Sequence, residues 1–264
     1  MLPIRKIVLI GAGNVGFHLG KRLYKKGFNI IQVFSRKEDK AKFLSKKIKA
    51  ESTSDFSKIR ANADLYIIAV SDNAIAEVAQ NLKANGIDNQ LVVHTSGATA
   101  STVLKPYFNH YGVFYPLQTF RINSKPNFKT LPICIDAPNK KDLKRLKKLA
   151  NKICLNVHQI NDDERAILHV AAVFVNNFSN HFYSIAEDIL DQNNLSLKLL
   201  FPLIRETANN IESSSPKDVQ TGPAVRNDEN TIKKHLQFLE KHPEYRTLYL
   251  VLSKSINAKF GNLK

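Results

Sequence analysis

Little in this chain invites crosslinking or a membrane. It has two cysteines, Cys134 and Cys154, in 264 residues. That leaves no disulfide framework, and both lie in apolar, strand-like runs, so they read as buried free thiols in a reducing cytoplasm. No apolar stretch approaches membrane-spanning length. Arg5-Lys6 before an apolar stretch imitates a signal peptide, but the stretch is too short and ends in a glycine motif. Eight histidines are scattered without the close His, Cys or carboxylate spacing that holds a metal. No G-x-S-x-G elbow marks a serine hydrolase. Internal repeats and low-complexity linkers are absent too. Hydrophobic residues at 43% and charged residues at 23% fit a soluble globular protein with ample core.

The net charge is +16, and it is unevenly spread. Residues 1–160 hold 27 Lys and Arg against 10 acids, giving +17, and the remainder holds 12 against 13, giving −1. Much of the excess lies in helix-like surface runs such as Lys140-Lys141, Lys144-Arg145 and Lys147-Lys148. Without interleaved aromatics or a nucleic-acid motif, it reads as a solvated lysine face that attracts anionic ligands. A basic nucleic-acid binder is the disfavoured reading.

The most informative segment is Ile7-Val8-Leu9-Ile10 followed by Gly11-Ala12-Gly13-Asn14-Val15-Gly16. The apolar run suits a parallel strand buried on both faces. The G-x-G-x-x-G spacing gives a tight turn at Gly11, close backbone approach to a pyrophosphate at Gly13 and tight helix packing at Gly16. The helix beginning at Asn14 and Val15 turns its N-terminal N–H groups and dipole toward the phosphates. A dinucleotide is therefore expected here. The next strand ends Val33-Phe34-Ser35-Arg36-Lys37, with no acid before Glu38. A 2′-phosphate meets Ser35, Arg36 and Lys37 instead of a repelling carboxylate, so NADP is expected over NAD. Val70 and Ser71, where the strand over 65–70 ends, join the expected cofactor contacts.

Strands are predicted at 5–10, 29–34, 65–70, 90–94, 111–115, 131–136 and 154–158. Helices are predicted at 14–26, 37–48, 74–85 and 139–152. This alternation predicts an α/β fold, a doubly wound parallel Rossmann sheet over residues 1–160. From Asp162 to Gln192 there is neither Pro nor Gly, which predicts one long helix capped at Asn161-Asp162. Helices at 196–213, 228–241 and 243–259 follow, so residues 161–264 are expected to form an all-helical substrate and dimerisation domain.

Candidate chemistry gathers after the strands and on the long helix. His94-Thr95-Ser96-Gly97 and Tyr115-Pro116-Leu117-Gln118-Thr119-Phe120 both follow strands. At 100° per residue, His169, Asn176 and Asn180 share a narrow arc with Asn177 beside it. The loop Thr221-Gly222-Pro223-Ala224-Val225-Arg226-Asn227-Asp228 carries an arginine able to hold an anion. His169 is expected to transfer a proton, since imidazole titrates near neutral pH, with Tyr115 and His94 as substitutes. Asn177 and Ser96 are expected to position the reacting group, and Arg226 to hold a carboxylate or phosphate.

These motifs resemble a bacterial family of NADP oxidoreductases in which a Rossmann-like domain is joined to the helical domain of unknown function 2520. The family looks like a branch of the β-hydroxyacid and 6-phosphogluconate dehydrogenase superfamily, which includes pyrroline-5-carboxylate reductase and deazaflavin-dependent NADP reductase. The resemblance implies an NADP-dependent redox enzyme whose helical domain forms a homodimer. Two departures stand out. Many relatives have His where this chain has Tyr115, and the lysine of hydroxyacid dehydrogenases four residues before the helix asparagine is here Val173. The expected activity is hydride transfer between nicotinamide and a small anionic carbonyl, imine or hydroxy compound. The alternative is a non-enzymatic NADP(H) sensor.

Overall fold

The computed structural model describes residues 3–261, which form two compact units, one running to Asn176 and the other beginning at Asn177. The first holds an eight-stranded sheet. Its strands are β1 (Lys6–Ile10), β2 (Asn29–Phe34), β3 (Glu51–Thr53), β4 (Leu65–Ile68), β5 (Leu91–His94), β6 (Tyr111–Pro116), β7 (Pro132–Asp136) and β8 (Asn156–Gln159). Their spatial order is β3-β2-β1-β4-β5-β6-β7-β8, so the chain reverses direction across the sheet between β1 and β4, where doubly wound folds bind ligands. Strand alternation sorts the side chains into two cores. Ile7, Leu9, Leu65, Ile67, Leu91 and Val93 face one side. Helices α1 (Asn14–Lys25), α2 (Glu38–Ile48) and α4 (Lys140–Ile153) cover them with Leu19, Leu23, Leu44, Ile48, Leu146 and Ile153. Val8, Ile10, Tyr66, Ile68 and Val92 face the other side, under Ile75, Val78, Ala79 and Leu82 of α3 (Ile75–Ala84). Burial on both faces explains why these strands read as unbroken apolar runs.

The sheet is not wholly parallel. β7 runs antiparallel to β6 and parallel to β8, because residues 117–131 contain no helix to carry a crossover back to the starting edge. β3 has no counterpart among the expected strands. It is three polar residues, Glu51-Ser52-Thr53, on the sheet's edge.

Helix α5 (Asp162–Ala172) stays with the sheet in the first unit. Its start is the expected one. Asn161 accepts the Glu164 backbone N–H at 2.9 Å while the Glu164 carboxylate accepts that of Asn161 at 2.9 Å, a full capping box. The long helix expected to Gln192 is interrupted. Val173–Phe178 is π-helical before α6 (Ser179–Asp191) begins.

The second unit is all helical, with α6, α7 (Phe201–Ser213), α8 (Pro216–Val219), α9 (Glu229–Phe238) and α10 (Pro243–Phe260). Prolines open α7, α8 and α10, where a missing N–H costs nothing. Side chains tie α10 to earlier helices: the Tyr245 hydroxyl donates to Asp188 at 2.6 Å, and Tyr249 meets His235 Nδ1 at 2.8 Å. No helix among the described residues is long and apolar enough to cross a membrane.

Candidate active site

Two constructions share the carboxyl edge of the sheet. The first is a cavity of about 480 Å³ around the β1–α1 turn. Its lining includes Gly11, Gly13, Asn14 and Val15 from that turn, Ser35, Arg36 and Lys37 after β2, and Val70 and Ser71 after β4. Gly11 has φ +108°, and a Cβ there would collide with the Ala69 carbonyl, so no other residue fits the turn. Gly16 lies outside the lining. Its missing Cβ leaves room for the Gly11 carbonyl and lets α1 pack closely. Gly13 is different: nothing lies within 4 Å of where its Cβ would be, so the open space is on the ligand side. The first turn of α1 carries no acid, which leaves its positive end unopposed.

The structure adds residues that sequence reading passed over. Lys40, on the first turn of α2, also lines the cavity, placing a third cation beside Arg36 and Lys37. Phe56 lines it as well and packs on Phe34 with ring centroids 4.2 Å apart. Lys40 was hidden because it resembles any lysine on a solvated helix face; only the start of α2 at Glu38 turns it toward the β2 end.

The second construction lies at β5 and β6. Gly97 is buried because two rings press on it. A Cβ there would lie 2.6 Å from His169 Nδ1 and 2.7 Å from Tyr115 Cζ. The Tyr115 hydroxyl is 3.4 Å from His169 Nδ1, with the tautomer deciding which donates. Both residues are half-buried, open enough to reach a ligand. Burial, helped by the nearby Cys134 and Asp72 and opposed by the Arg165 charge, pushes the Tyr115 phenol up to about 12, so it is a protonated donor at neutral pH.

Ser96 is placed differently from expectation. Its hydroxyl donates to Thr99 Oγ1 at 3.0 Å and accepts the Ala98 and Thr99 backbone N–H groups at 3.1 and 2.9 Å. Its bonding capacity is used inside the turn. His94 is fully buried, and its Nδ1 accepts the Ser96 N–H at 3.2 Å. Burial, reinforced by the Arg165 charge, pulls its pKa down to about 4. It is a neutral packing imidazole with Nε2 unpartnered among the described residues, unlike the proton carrier considered from sequence.

Asn177 and Arg226 belong to the second unit. Asn176 and Asn177 lie within the π-helical stretch, so the arc with His169 calculated at 100° per residue does not hold there. Arg226 is exposed in the loop whose Asp228 caps α9, accepting the Thr231 N–H at 3.0 Å. Among the described residues, no group of three His, Cys, Asp or Glu could hold a metal.

Comparisons with known proteins agree with this architecture. Residues 6–97 match the family described as NADP oxidoreductase coenzyme F420-dependent, and residues 131–256 match domain of unknown function 2520. A Bacteroides fragilis protein whose structure is named "putative NADP oxidoreductase" is 42% identical. It matches over 97% of this chain and 98% of its own, with a TM-score of 0.91. A Thermotoga maritima protein is 20% identical over 96% of this chain and 97% of its own, at a TM-score of 0.72. An imine reductase from Myxococcus stipitatus, in complex with NADP+, is 14% identical over 97% and 96%, at 0.70. These last two share the fold. No protein of curated function matches. Identity to the Bacteroides protein over nearly both full lengths, with the two domains in this order, places the chain in the family that joins an NADP-oxidoreductase nucleotide domain to the helical domain of unknown function 2520.

Proposed function

We propose that the protein is an NADP-dependent oxidoreductase acting on a small anionic carbonyl, imine or hydroxy compound. The observation that carries this reading is the packing of Tyr115 and His169 onto Gly97, at the same sheet edge as the glycine-rich cavity. The cavity's residues fit the cofactor. Gly13 leaves its space open, the bare N-terminus of α1 suits a pyrophosphate, and Arg36, Lys37 and Lys40 suit a 2′-phosphate. When bound, the nicotinamide supplies or accepts the hydride.

The chain's own residues manage the proton and the heteroatom's charge. Tyr115, held neutral by burial, donates a hydrogen bond to the substrate's oxygen or nitrogen. His169, in contact with its hydroxyl, replaces the proton or removes it in the reverse direction. Gly97 keeps both rings in place. For Asn177 and Arg226 we keep the roles expected from the sequence, orientation of the reacting group and capture of a carboxylate or phosphate. Ser96 shapes the turn.

Fluorescence titration tests the cofactor. NADPH is expected to bind more tightly than NADH, and Arg36→Ala and Lys40→Ala to weaken NADPH selectively, because only NADPH carries the 2′-phosphate. Equal affinities in the parent protein reject NADP selectivity. Turnover is then screened on keto acids, cyclic imines and hydroxy acids. His169→Gln and Tyr115→Phe are each expected to lose about a hundredfold in kcat with NADPH affinity retained. Tight NADPH binding without turnover on any of these supports the sensor instead.

A further inference from the structure

The largest fully buried side chain among the described residues is a charged one, Arg165, 1% exposed on α5. One nitrogen, Nη2, donates to the Thr99 carbonyl at 2.6 Å and to Asp162 Oδ1 at 2.7 Å. Asp162 in turn accepts the backbone N–H and hydroxyl of Ser101 at 2.8 and 2.9 Å. The pair therefore bolts α5 to the turn that follows β5. His169 stands four residues after Arg165, on the same helix face. Nε and Nη1 of Arg165 have no hydrogen-bond partner among the described residues.

For stability alone this is a poor arrangement. A buried guanidinium with unsatisfied N–H groups is costly, and apolar packing would serve the fold as well or better. The charge acts on the site's groups. It opposes the effect of burial on the Tyr115 phenol and the Cys134 thiol, and it favours the neutral form of His94.

We propose that Arg165 is the positioning residue of this site: it fixes the helix bearing His169 against the Gly97 turn and supplies the positive charge behind Tyr115 that stabilises the phenol oxygen as its proton leaves. This inference rests on the reading of Tyr115 and His169 as the proton-handling pair. The groups that bear on Tyr115 are Cys134, opposite it on β7, His169 on α5 in contact with its hydroxyl, and, through their charge, Arg165 on α5 and Asp72 after β4. Arg165 is the cation among those whose charge bears on the phenol.

The test reads ionisation in the ligand-free protein and needs no substrate. Fluorotyrosine is incorporated, the Tyr115 resonance is assigned by its loss in Tyr115→Phe, and its fluorine shift is titrated. Arg165→Met is expected to raise the midpoint by about one pH unit or more, and Arg165→Lys, which keeps the charge, by less than half as much. An unchanged midpoint in a folded Arg165→Met protein overturns the proposal. Equal shifts in the Met and Lys variants also overturn it, because packing and not charge then explains the effect. If Arg165→Met does not fold, Asp162→Asn provides the decision. Removing the compensating carboxylate is expected to lower the midpoint, and no change or a rise overturns the proposal. If instead Tyr115→Phe and His169→Gln retain full turnover, the proton-handling reading fails whatever the titration shows.

Discussion

Among single residues, His94 is the clearest link between burial and pH. Its pKa is near 4 in the folded protein and about 6.5 when exposed. Between those values the unfolded chain binds the proton and the native protein does not, so stability is full above the higher value and falls with falling pH. The shift corresponds to about 3 kcal/mol lost by the time pH reaches the lower value. Denaturant melts from neutral pH downward should show that slope, and His94→Gln should flatten it. At this scale, chemistry was legible in sequence where a residue type has few alternative uses. The glycines at 11, 13 and 16 and the missing acid after Phe34 are such cases. Ser96 and His94 were not legible as turn and packing groups, since a hydroxyl and an imidazole look the same in sequence whether spent or free. Arg165 stood out in no sequence pattern, because its burial depends on Thr99 and Asp162 coming together in space.

At the level of elements, strands with both faces buried and helices with one face buried announce themselves, and β1, β4, β5 and α1 to α4 emerge close to their expected limits. What escaped has physical causes. β3 is too short and polar to carry a period. The reversal of β7 was written in the lack of a helix between 116 and 132, a signal available but unused. The π-helical stretch over Val173–Phe178 was not legible, because Val, Phe and Asn also occur within regular α-helices and nothing in their order marks the wider turn. Such a stretch holds an extra residue per turn and often marks a functional position. Deleting the exposed Val175 is expected to restore a regular α-helical turn and to re-aim the side chains of the stretch itself, Asn176 and Asn177 among them, while the flanking helices keep their phase. Circular dichroism should show undiminished helix, NADPH affinity should be unchanged, and turnover should fall at least tenfold. Unchanged turnover would mean that the stretch is ornamental to the chemistry.

At the level of the whole molecule, the helical segments display much apolar surface. Ile167 is 71% exposed, Val175 76% and Leu199 68%, with Val170, Leu203 and Ile211 also open. Such density is unusual for a solvated monomer, and we expect a homodimer formed through the segments after Ile160. Light scattering at micromolar concentration should give twice the chain mass, and Ile167→Glu with Val170→Glu should halve it. A monomer in the parent protein would refute this.

The lysine face of α4 has a consequence of another kind. Seven of its fourteen residues are Lys or Arg, and its one acid, Asp142, is turned inward, 2% exposed, against Arg145 and His110. Folding thus gathers like charges that the extended chain keeps apart. The native state works against its own field, and dissolved ions relieve it. Raising sodium chloride from low ionic strength should therefore raise the melting temperature of the ligand-free protein, steeply at first and then levelling as the Debye length shrinks below the spacing of the ammonium groups. Proteins held by surface ion pairs respond in the opposite sense. A polyanion, drawn to the same field without any sequence of its own, should imitate the salt at far lower concentration.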